Sequence, residues 1–220
     1  MKILIVLTAL SLHALGQVPD STSDQKIHKA PIPIEAIFFP AALNMQVIVD
    51  NKFSAHNRLK FFQVINILAN YRNDQSKNEF VTLSLLSYQI AKGLTIGAGL
   101  WTNNIVGARP TLTLNYTWIT KNTLFVCVPR IDLIENYNLE NVAIFEYSPV
   151  LFRQLGLYSR IQTLYNYNLN HNSHDRSYLN MRIGFFRKTL RFGVGTNIDF
   201  HGPKRLRKTS LGVFVGALVR

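Results

Sequence analysis

The chain has 220 residues, of which 47% are hydrophobic and only 16% are charged, with 24 basic residues against 12 acidic ones. The surplus of positive charge indicates anionic surroundings, while the low charged fraction is unusual for a soluble protein of this basicity. A single cysteine, Cys127, excludes an internal disulfide framework and is expected to be a small apolar side chain on a strand. After the N-terminal segment, no run of about 18 apolar residues offers a transmembrane helix.

Residues 1–16 are predicted to be a secretory signal peptide. They place one Lys before an apolar run and end in the small residues Ala14 and Gly16, so cleavage is expected near Gly16. The mature chain then carries a net charge of about +11, because Lys2 is the only charge removed. No cysteine follows the run, which argues against a lipoprotein anchor, and export argues against nucleic acid as a partner. Residues 17–31 are polar and aperiodic, and we predict a flexible lead-in there.

From residue 32 to residue 220 the pattern predicts β-strands throughout. In residues 190–200, Leu190 and Phe192 alternate with Arg191 and Gly193, so one face of that strand is apolar and the other is polar or bare. Most segments have about the 9–11 residues that a tilted membrane strand requires. The predicted strands are 32–39, 43–50, 59–71, 80–90, 94–102, 111–119, 123–133, 142–152, 155–167, 177–186, 190–200 and 210–220.

Tight and long polar connections alternate along the chain, as they do between the periplasmic turns and the outer loops of membrane barrels. The tight connections are 91–93, 120–122, 153–154 and 187–189, and the long ones are 72–79, 103–110, 134–141, 168–176 and 201–209. Placing both termini on the periplasmic side requires a first rising strand at 32–39. The sequence therefore predicts an all-β fold, a closed antiparallel transmembrane barrel of twelve strands, with ten as the alternative.

Over residues 32–220 the chain resembles the small outer-membrane β-barrel proteins of Gram-negative bacteria. The resemblance rests on the signal peptide, the alternating strands, the rhythm of turns and loops, and a strand at the extreme C-terminus. The ending "ALVR" departs from the aromatic last residue that is common in this class. The resemblance implies an integral outer-membrane location, insertion by the barrel insertion machinery, and apolar faces that meet lipid.

Strand parity predicts charged side chains inside the barrel on five consecutive strands. They are Arg130, Asp132, Glu146, Arg160, Arg182, Arg191 and Asp199. Because a buried charge is costly unless it is paired, we expect Glu146 to contact Arg160, and Asp199 to contact Arg191 or Arg182. The three strands between residues 80 and 119 are expected to add uncharged inward side chains: Thr82, Ser84, Thr95, Thr111, Thr113 and Asn115. Two interpretations stay open, a polar network that fills the barrel and a cationic wall that selects anions, since twelve strands lie between a filled barrel and a wide channel.

Basic residues also gather in the connections. Lys204, Arg205, Arg207 and Lys208 lie in the last long connection, near Arg109 and Arg176 at other loop ends. They are either a solvated charge run or a contact surface for lipopolysaccharide phosphates. The tight turns carry Lys92, Lys121, Arg153 and Lys188, which we expect to reach phosphates of the inner leaflet.

The leading functional prediction is a non-enzymatic outer-membrane protein, either a narrow channel or a small-ligand cavity with a partly cationic lumen. One alternative is a lipid hydrolase or acyltransferase that uses His171, His174 and Asp175 with Ser173 in one loop, or His201 near Asp199. Adjacency in a loop does not preorganise these groups, and they fall short of a metal-ligand set, so we predict no catalytic residue, metal or cofactor. The other alternative is a soluble secreted β-protein. No oligomeric state is predicted.

Overall fold

A computed structural model of the protein describes residues 30–54, 57–72, 74–134 and 137–219. The predicted signal peptide, residues 1–16, lies outside the described residues, as does most of the predicted lead-in. Among the described residues, no helix combines the length and the apolar character needed to cross a bilayer.

Thirteen strands in antiparallel register make up nearly all of the described chain. They are β1 (Ile32–Phe38), β2 (Ala42–Lys52), β3 (Leu59–Asn70), β4 (Glu79–Ala91), β5 (Leu94–Asn103), β6 (Gly107–Ile119), β7 (Thr123–Asp132), β8 (Asn138–Tyr147), β9 (Val150–Phe152), β10 (Leu155–Asn168), β11 (Ser173–Arg187), β12 (Leu190–His201) and β13 (Leu206–Val219). A single 3-10 turn, Gln75–Lys77, precedes β4. Both β8 and β9 pair with β10, so β9 resumes the course of β8 after Pro149 and the two form one strand of the barrel.

The sheet closes on itself because the first and last strands pair. Each strand pairs with its neighbours in sequence, and β1 pairs with β13 from Ile32↔Val219 to Phe38↔Val213. Counting β8 and β9 together gives twelve strands, which confirms the predicted closed antiparallel barrel and excludes ten strands. We call the end that holds Ile32 and Val219 the proximal end, and the end that holds Phe38 and Leu206 the distal end.

The four predicted tight turns all lie at the proximal end. At the distal end the strands run further into the polar segments than expected: β6 begins at Gly107, β8 at Asn138 and β11 at Ser173. These segments are polar because they extend beyond the apolar outer face of the barrel. Their backbones still pair with the neighbouring strands. Two connections depart from the predicted rhythm, since the distal link 39–41 is short and the proximal link 53–58 is longer.

Side chains alternate between an apolar exterior and a polar interior. On β11, Ile183 is 58% exposed while its neighbour Arg182 is 6% exposed, and β12 alternates in the same way, whereas the inner rows of β3, β4 and β7 also hold apolar side chains. The exterior carries aromatic side chains towards its edges, with Tyr88, Tyr116, Trp118 and Tyr147 towards the proximal end and Tyr71, Tyr137 and Tyr165 towards the distal end. An apolar band bordered by aromatic residues is the surface that membrane barrels present to lipid.

The facing predicted for β4 is wrong at two positions. Thr82 and Ser84 lie on the outer row with Leu86, and Leu83, Leu85 and Ser87 occupy the inner row. Both faces of this strand are rich in apolar residues, so hydrophobicity alone did not distinguish them. Pairing with β5 sets the register, because Gly97 and Gly99 lie opposite Ser87 and Leu85 and leave room for the Leu85 side chain in the lumen. Thr95, Thr111, Thr113 and Asn115 are buried on the inner rows of β5 and β6.

Two glycines allow a close approach of β11 and β12. Gly184 and Gly193 lie opposite each other, and a Cβ atom added to Gly193 would lie 2.2 Å from the Ile183 carbonyl oxygen and 2.6 Å from the Gly184 Cα atom. Because these neighbours are backbone atoms, no side-chain movement can relieve the overlap.

We therefore expect Gly193→Ala to destabilise the barrel by about 1–3 kcal/mol, the usual cost of overpacking. The measurement is the denaturant concentration at which half of the protein in detergent is unfolded. The folded fraction is read from the difference in gel mobility between unheated and boiled samples. Gly216→Ala is the matched control, since its Cβ atom would meet nothing closer than 3.1 Å. Equal midpoints for the two variants would contradict the close approach.

Candidate functional site in the barrel lumen

The proximal half of the lumen holds a cluster of three arginines and two glutamates. Arg160 Nη1 lies 3.7 Å from Glu35 Oε2, and Arg160 Nε lies 3.7 Å from Glu146 Oε1. Each glutamate has a second arginine, since Arg182 Nε lies 3.0 Å from Glu35 Oε1 and Arg191 Nη1 lies 3.3 Å from Glu146 Oε2. The five side chains come from β1, β8, β10, β11 and β12, and the cluster carries one excess positive charge. We call it the proximal cluster.

Aromatic and aliphatic side chains support the proximal cluster. Tyr158, Ile37 and Phe214 are almost completely buried and pack together inside the barrel. The Tyr158 hydroxyl donates to Glu146 Oε1 at 3.1 Å, and the Arg191 guanidinium lies 4.6 Å from the centre of the Tyr158 ring. This packing fixes the positions of the arginines and fills the sector of the lumen beneath them.

One hydrogen bond of the proximal cluster crosses the lumen. Arg160 Nη2 donates to Gln46 Oε1 at 2.6 Å and also to the Gln162 side chain. Gln46 lies on β2 and Arg160 on β10, which are five strands apart around the wall by the shorter route. The bond therefore spans the bore and narrows it.

A second cluster lies on the wall formed by β5 to β8, towards the distal end. The Arg130 guanidinium pairs with Asp132 and lies 3.1 Å from Glu140, and its carbon lies 4.8 Å from the centre of the Trp101 ring. Arg109 lies 3.7 Å from Asp132. The Asn166 side-chain amide donates to Glu140 at 2.8 Å. These charges balance one another and stay close to the wall.

A third group crosses the distal mouth. Arg176 Nη1 on β11 donates to Glu79 Oε2 on β4 at 2.8 Å, and Arg176 Nη2 donates to Asp199 Oδ1 on β12 at 3.0 Å. Since β4 and β11 are six steps apart by either route around the wall, the Arg176–Glu79 pair joins opposite sides of the barrel. We call this pair, with Asp199, the distal bar.

A single cavity of about 1190 Å³ extends past all three groups. Its lining includes Pro33, Leu124 and Leu218 towards the proximal end, and Asn70, His201 and Lys208 at the distal end. At about 30 Å³ per molecule, this volume holds roughly 40 water molecules. The cavity therefore reaches both ends of the barrel, and both charged and apolar side chains line it.

All seven side chains that parity placed in the lumen lie there. Arg160 is near Glu146, whereas Asp199 pairs with Arg176 in place of Arg191 or Arg182, because Arg176 is opposite the end of β12 in the register with β11. Arg109 and Arg176 point into the lumen and not outward from loop ends.

Sequence analysis missed three of the carboxylates that pair with these arginines, namely Glu35, Glu79 and Glu140. Glu79 and Glu140 lie within segments predicted to be loops, and their partners come from strands distant in sequence. Glu35 was identifiable, since it alternates with Ile34 and Ala36 in "IPIEAIFF".

The basic residues of the last connection lie at the distal rim. Lys204 and Arg205 are exposed in the turn between β12 and β13, and Arg207 and Lys208 are exposed at the start of β13. Lys208 also lines the cavity. None of the four forms an ion pair with a described residue.

The residues of the hydrolase alternative are not assembled into a catalytic set. His174 is buried, with Nδ1 2.8 Å from the Gly202 carbonyl and Nε2 3.0 Å from the Ser177 hydroxyl. Asp175 accepts from Asn138, and Asp199 belongs to the distal bar. A backbone carbonyl therefore contacts the ring where the alternative requires a carboxylate. In the described part of the chain, no three His, Cys, Asp or Glu side chains come together as a metal site would need.

The pairings predict different costs for removing two of the arginines. Arg130→Met should destabilise the barrel by about 3–5 kcal/mol, because Glu140 loses its arginine and Asp132 keeps only the longer contact to Arg109. Arg160→Met should cost less, because Glu35 retains Arg182 and Glu146 retains Arg191. Denaturant midpoints in detergent measure both, and a larger loss for Arg160→Met would contradict these pairings.

Comparison with known proteins finds similarity in architecture alone. No protein-family model matches the chain, and no curated protein matches it. Among solved structures, the KdgM porin is similar with a TM-score of 0.47 and 10% identity, over 86% of this chain and 99% of that one. The NanC porin has a TM-score of 0.48 and 12% identity over the same shares. A loop-deletion mutant of OmpT, an outer membrane protein of Vibrio cholerae, has a TM-score of 0.37 and 8% identity, over 86% of this chain and 97% of that one.

Proposed function

We propose that this protein is a non-enzymatic channel of the outer membrane that lets small hydrophilic solutes pass through its lumen. The observation that carries the proposal is a cavity that reaches both ends of a closed barrel and has charged groups along its length. Barrels of eight strands are filled by their own side chains and those of 16–18 strands hold wide channels, so a twelve-stranded barrel suits a narrow passage.

The distribution of side chains supports a membrane location. Large apolar residues such as Leu100, Val194 and Val213 are half exposed on the outside, while arginines and carboxylates are buried within. A soluble β-protein buries its apolar rows and exposes its polar ones, so the soluble alternative does not fit this distribution. Only a closed sheet or a helix can satisfy its backbone groups in lipid, and closure is present here. In the proposed orientation the proximal end faces the periplasm, after export and removal of residues 1–16.

The lumen charges support a passage with a weak charge preference. The inward arginines of the three groups all have carboxylate partners. The proximal cluster holds one excess positive charge, whereas the distal bar holds one excess negative charge beside Lys208, which forms no ion pair with a described residue. We therefore expect a small preference for anions in the part of the lumen that holds the proximal cluster. The second cluster, with Arg109, Arg130, Asp132 and Glu140, adds no charge preference, because its two arginines and two carboxylates balance.

The first test is the conductance of the purified protein in planar bilayers, which we expect to show discrete channel openings. Arg160→Ala should raise the single-channel conductance, because it removes the bond to Gln46 that crosses the bore while both glutamates keep an arginine. Lys92→Ala, in an exposed proximal turn, is the control and should conduct like the native protein. Absence of openings from folded native protein would contradict the channel.

The second test concerns ion preference. Arg176→Ala should shift the reversal potential in a salt gradient towards cations, because Glu79 and Asp199 are then left unpaired at the distal mouth.

Lys121→Ala removes the same charge from a proximal turn and serves as the control. An unchanged reversal potential in Arg176→Ala would mean that ions do not pass the distal bar.

A further inference from the structure

The barrel wall has a gap beside the distal part of β13. Strand β12 pairs with β13 up to Leu206, whereas β1 pairs with it only as far as Val213. The stretch from Leu206 to Leu211 therefore has no pairing partner among the described residues on the β1 side, over about 20 Å of strand at 3.3 Å per residue, whereas Gly212 still lies beside Phe38. Pro40 follows the end of β1 at the position that would face Leu211, and because proline has no N–H it cannot continue the ladder.

Three residues of β13 direct their backbone groups into this gap. The Ser210 carbonyl accepts from Thr196 on β12, so the backbone groups of even-numbered residues face β12. Since successive residues of a strand point their backbone groups to opposite sides, those of Arg207, Thr209 and Leu211 face the gap. No described residue pairs with these backbone groups. In the proposed orientation this polar segment lies beyond the apolar band, at the level of the lipid headgroups, whose polar groups can pair with an open strand edge.

The lumen cavity opens through the gap. Its lining includes Lys208 and Ser210 from the inner row of β13, and also Thr209 and Leu211 from the outer row. Pro40 and Ala41 line the opposite side, in the short link between β1 and β2. Residues of both rows line the cavity here, and this is also where β13 has no β1 partner. The passage therefore has a lateral opening near the distal end.

Cationic and apolar groups occur side by side at this opening. Lys204, Arg205, Arg207 and Lys208 are exposed there and have no carboxylate partner among the described residues. Leu206 and Leu211 are each about two-thirds exposed, at 68% and 67%. A ligand that satisfies all of these groups carries phosphate, polar hydrogen-bonding groups and acyl chains on one molecule.

We propose that this opening, bounded by Leu206–Leu211 and residues 39–41, is a docking site for a phosphorylated glycolipid of the outer leaflet. Its phosphates contact Arg207 and Lys208, and its sugar hydroxyl and amide groups pair with the free backbone groups of β13. Its acyl chains lie against Leu206 and Leu211. The proposal rests on the proposed membrane location and orientation, since only the distal end at the outer surface would meet such a lipid.

The test uses the full-length protein in detergent with purified lipopolysaccharide as the probe. We expect binding that weakens about 30-fold when Arg207→Ser and Lys208→Ser are combined, from on the order of 1 kcal/mol for each basic group. The matched control combines Lys92→Ser and Lys121→Ser, which removes the same charge at the proximal end and should bind like the native protein. Gel mobility before and after boiling verifies that every variant is folded.

A second measurement locates the lipid. A photo-crosslinking residue in place of Leu211 should capture lipopolysaccharide in outer-membrane vesicles, and the same residue in place of Ile183, on the outer face of β11, should capture mainly phospholipid or nothing. Equal capture at both positions, or equal loss of affinity in both double variants, would overturn the docking site. Lipopolysaccharide capture by a protein that shows no conductance would contradict the channel and leave the docking site standing. Conductance without preferential capture at position 211 would contradict the docking site and leave the channel standing.

Discussion

The pairing of β1 with β13 is the interaction on which the rest of this structure depends. Seven residue pairs join the ends of the sheet and give the backbone groups of its edge strands a partner along that seam. An open sheet would have two edges, and its apolar outer face could not enter lipid without leaving those edges unpaired. Closure thus permits the inverted distribution of side chains, with leucine and valine outside and arginine and glutamate inside. Beside the distal part of β13, where β1 no longer pairs with that strand, exposed cations gather that have no carboxylate partner in the described part of the chain.

The interior is held together by electrostatics where a soluble protein would use an apolar core. Arginines reach across the lumen to carboxylates on distant strands, and Arg160 serves two glutamates that each have another arginine. This redundancy lets the proximal cluster bury five charges without leaving any one of them alone, which a single buried pair could not do. Apolar side chains also face the lumen, in the group around Tyr158 and Phe214 and along the inner rows of β3, β4, β7 and β8. This placement of apolar side chains outside and charged side chains inside agrees with a barrel whose outer face meets lipid and whose lumen holds water.

The strands and their facing were predictable where alternation is clean, as in residues 190–200. Prediction failed in β4, where Thr82 and Ser84 alternate with leucines and the register with β5 decides the facing. It was incomplete at the distal end, where polar composition marks departure from the apolar band and not the end of a strand. Charged residues could be placed inside by parity, and a partner on the next strand could be predicted, as for Glu146 and Arg160, but partners on distant strands could not. Arg182 and Glu35 are 147 positions apart in the sequence, and only the circumference and stagger of the closed sheet bring them together.

The distal bar has a geometric consequence for anything that moves through the barrel. A rod fixed across the diameter of a tube splits its mouth into two crescents, and a rigid particle has to fit through one of them. The limiting aperture is then half of what the number of strands would suggest. Substitution of Arg176 alone changes the width of this opening and leaves the strands of the barrel wall unchanged. The width of the passage can therefore change by single substitutions while the fold is preserved.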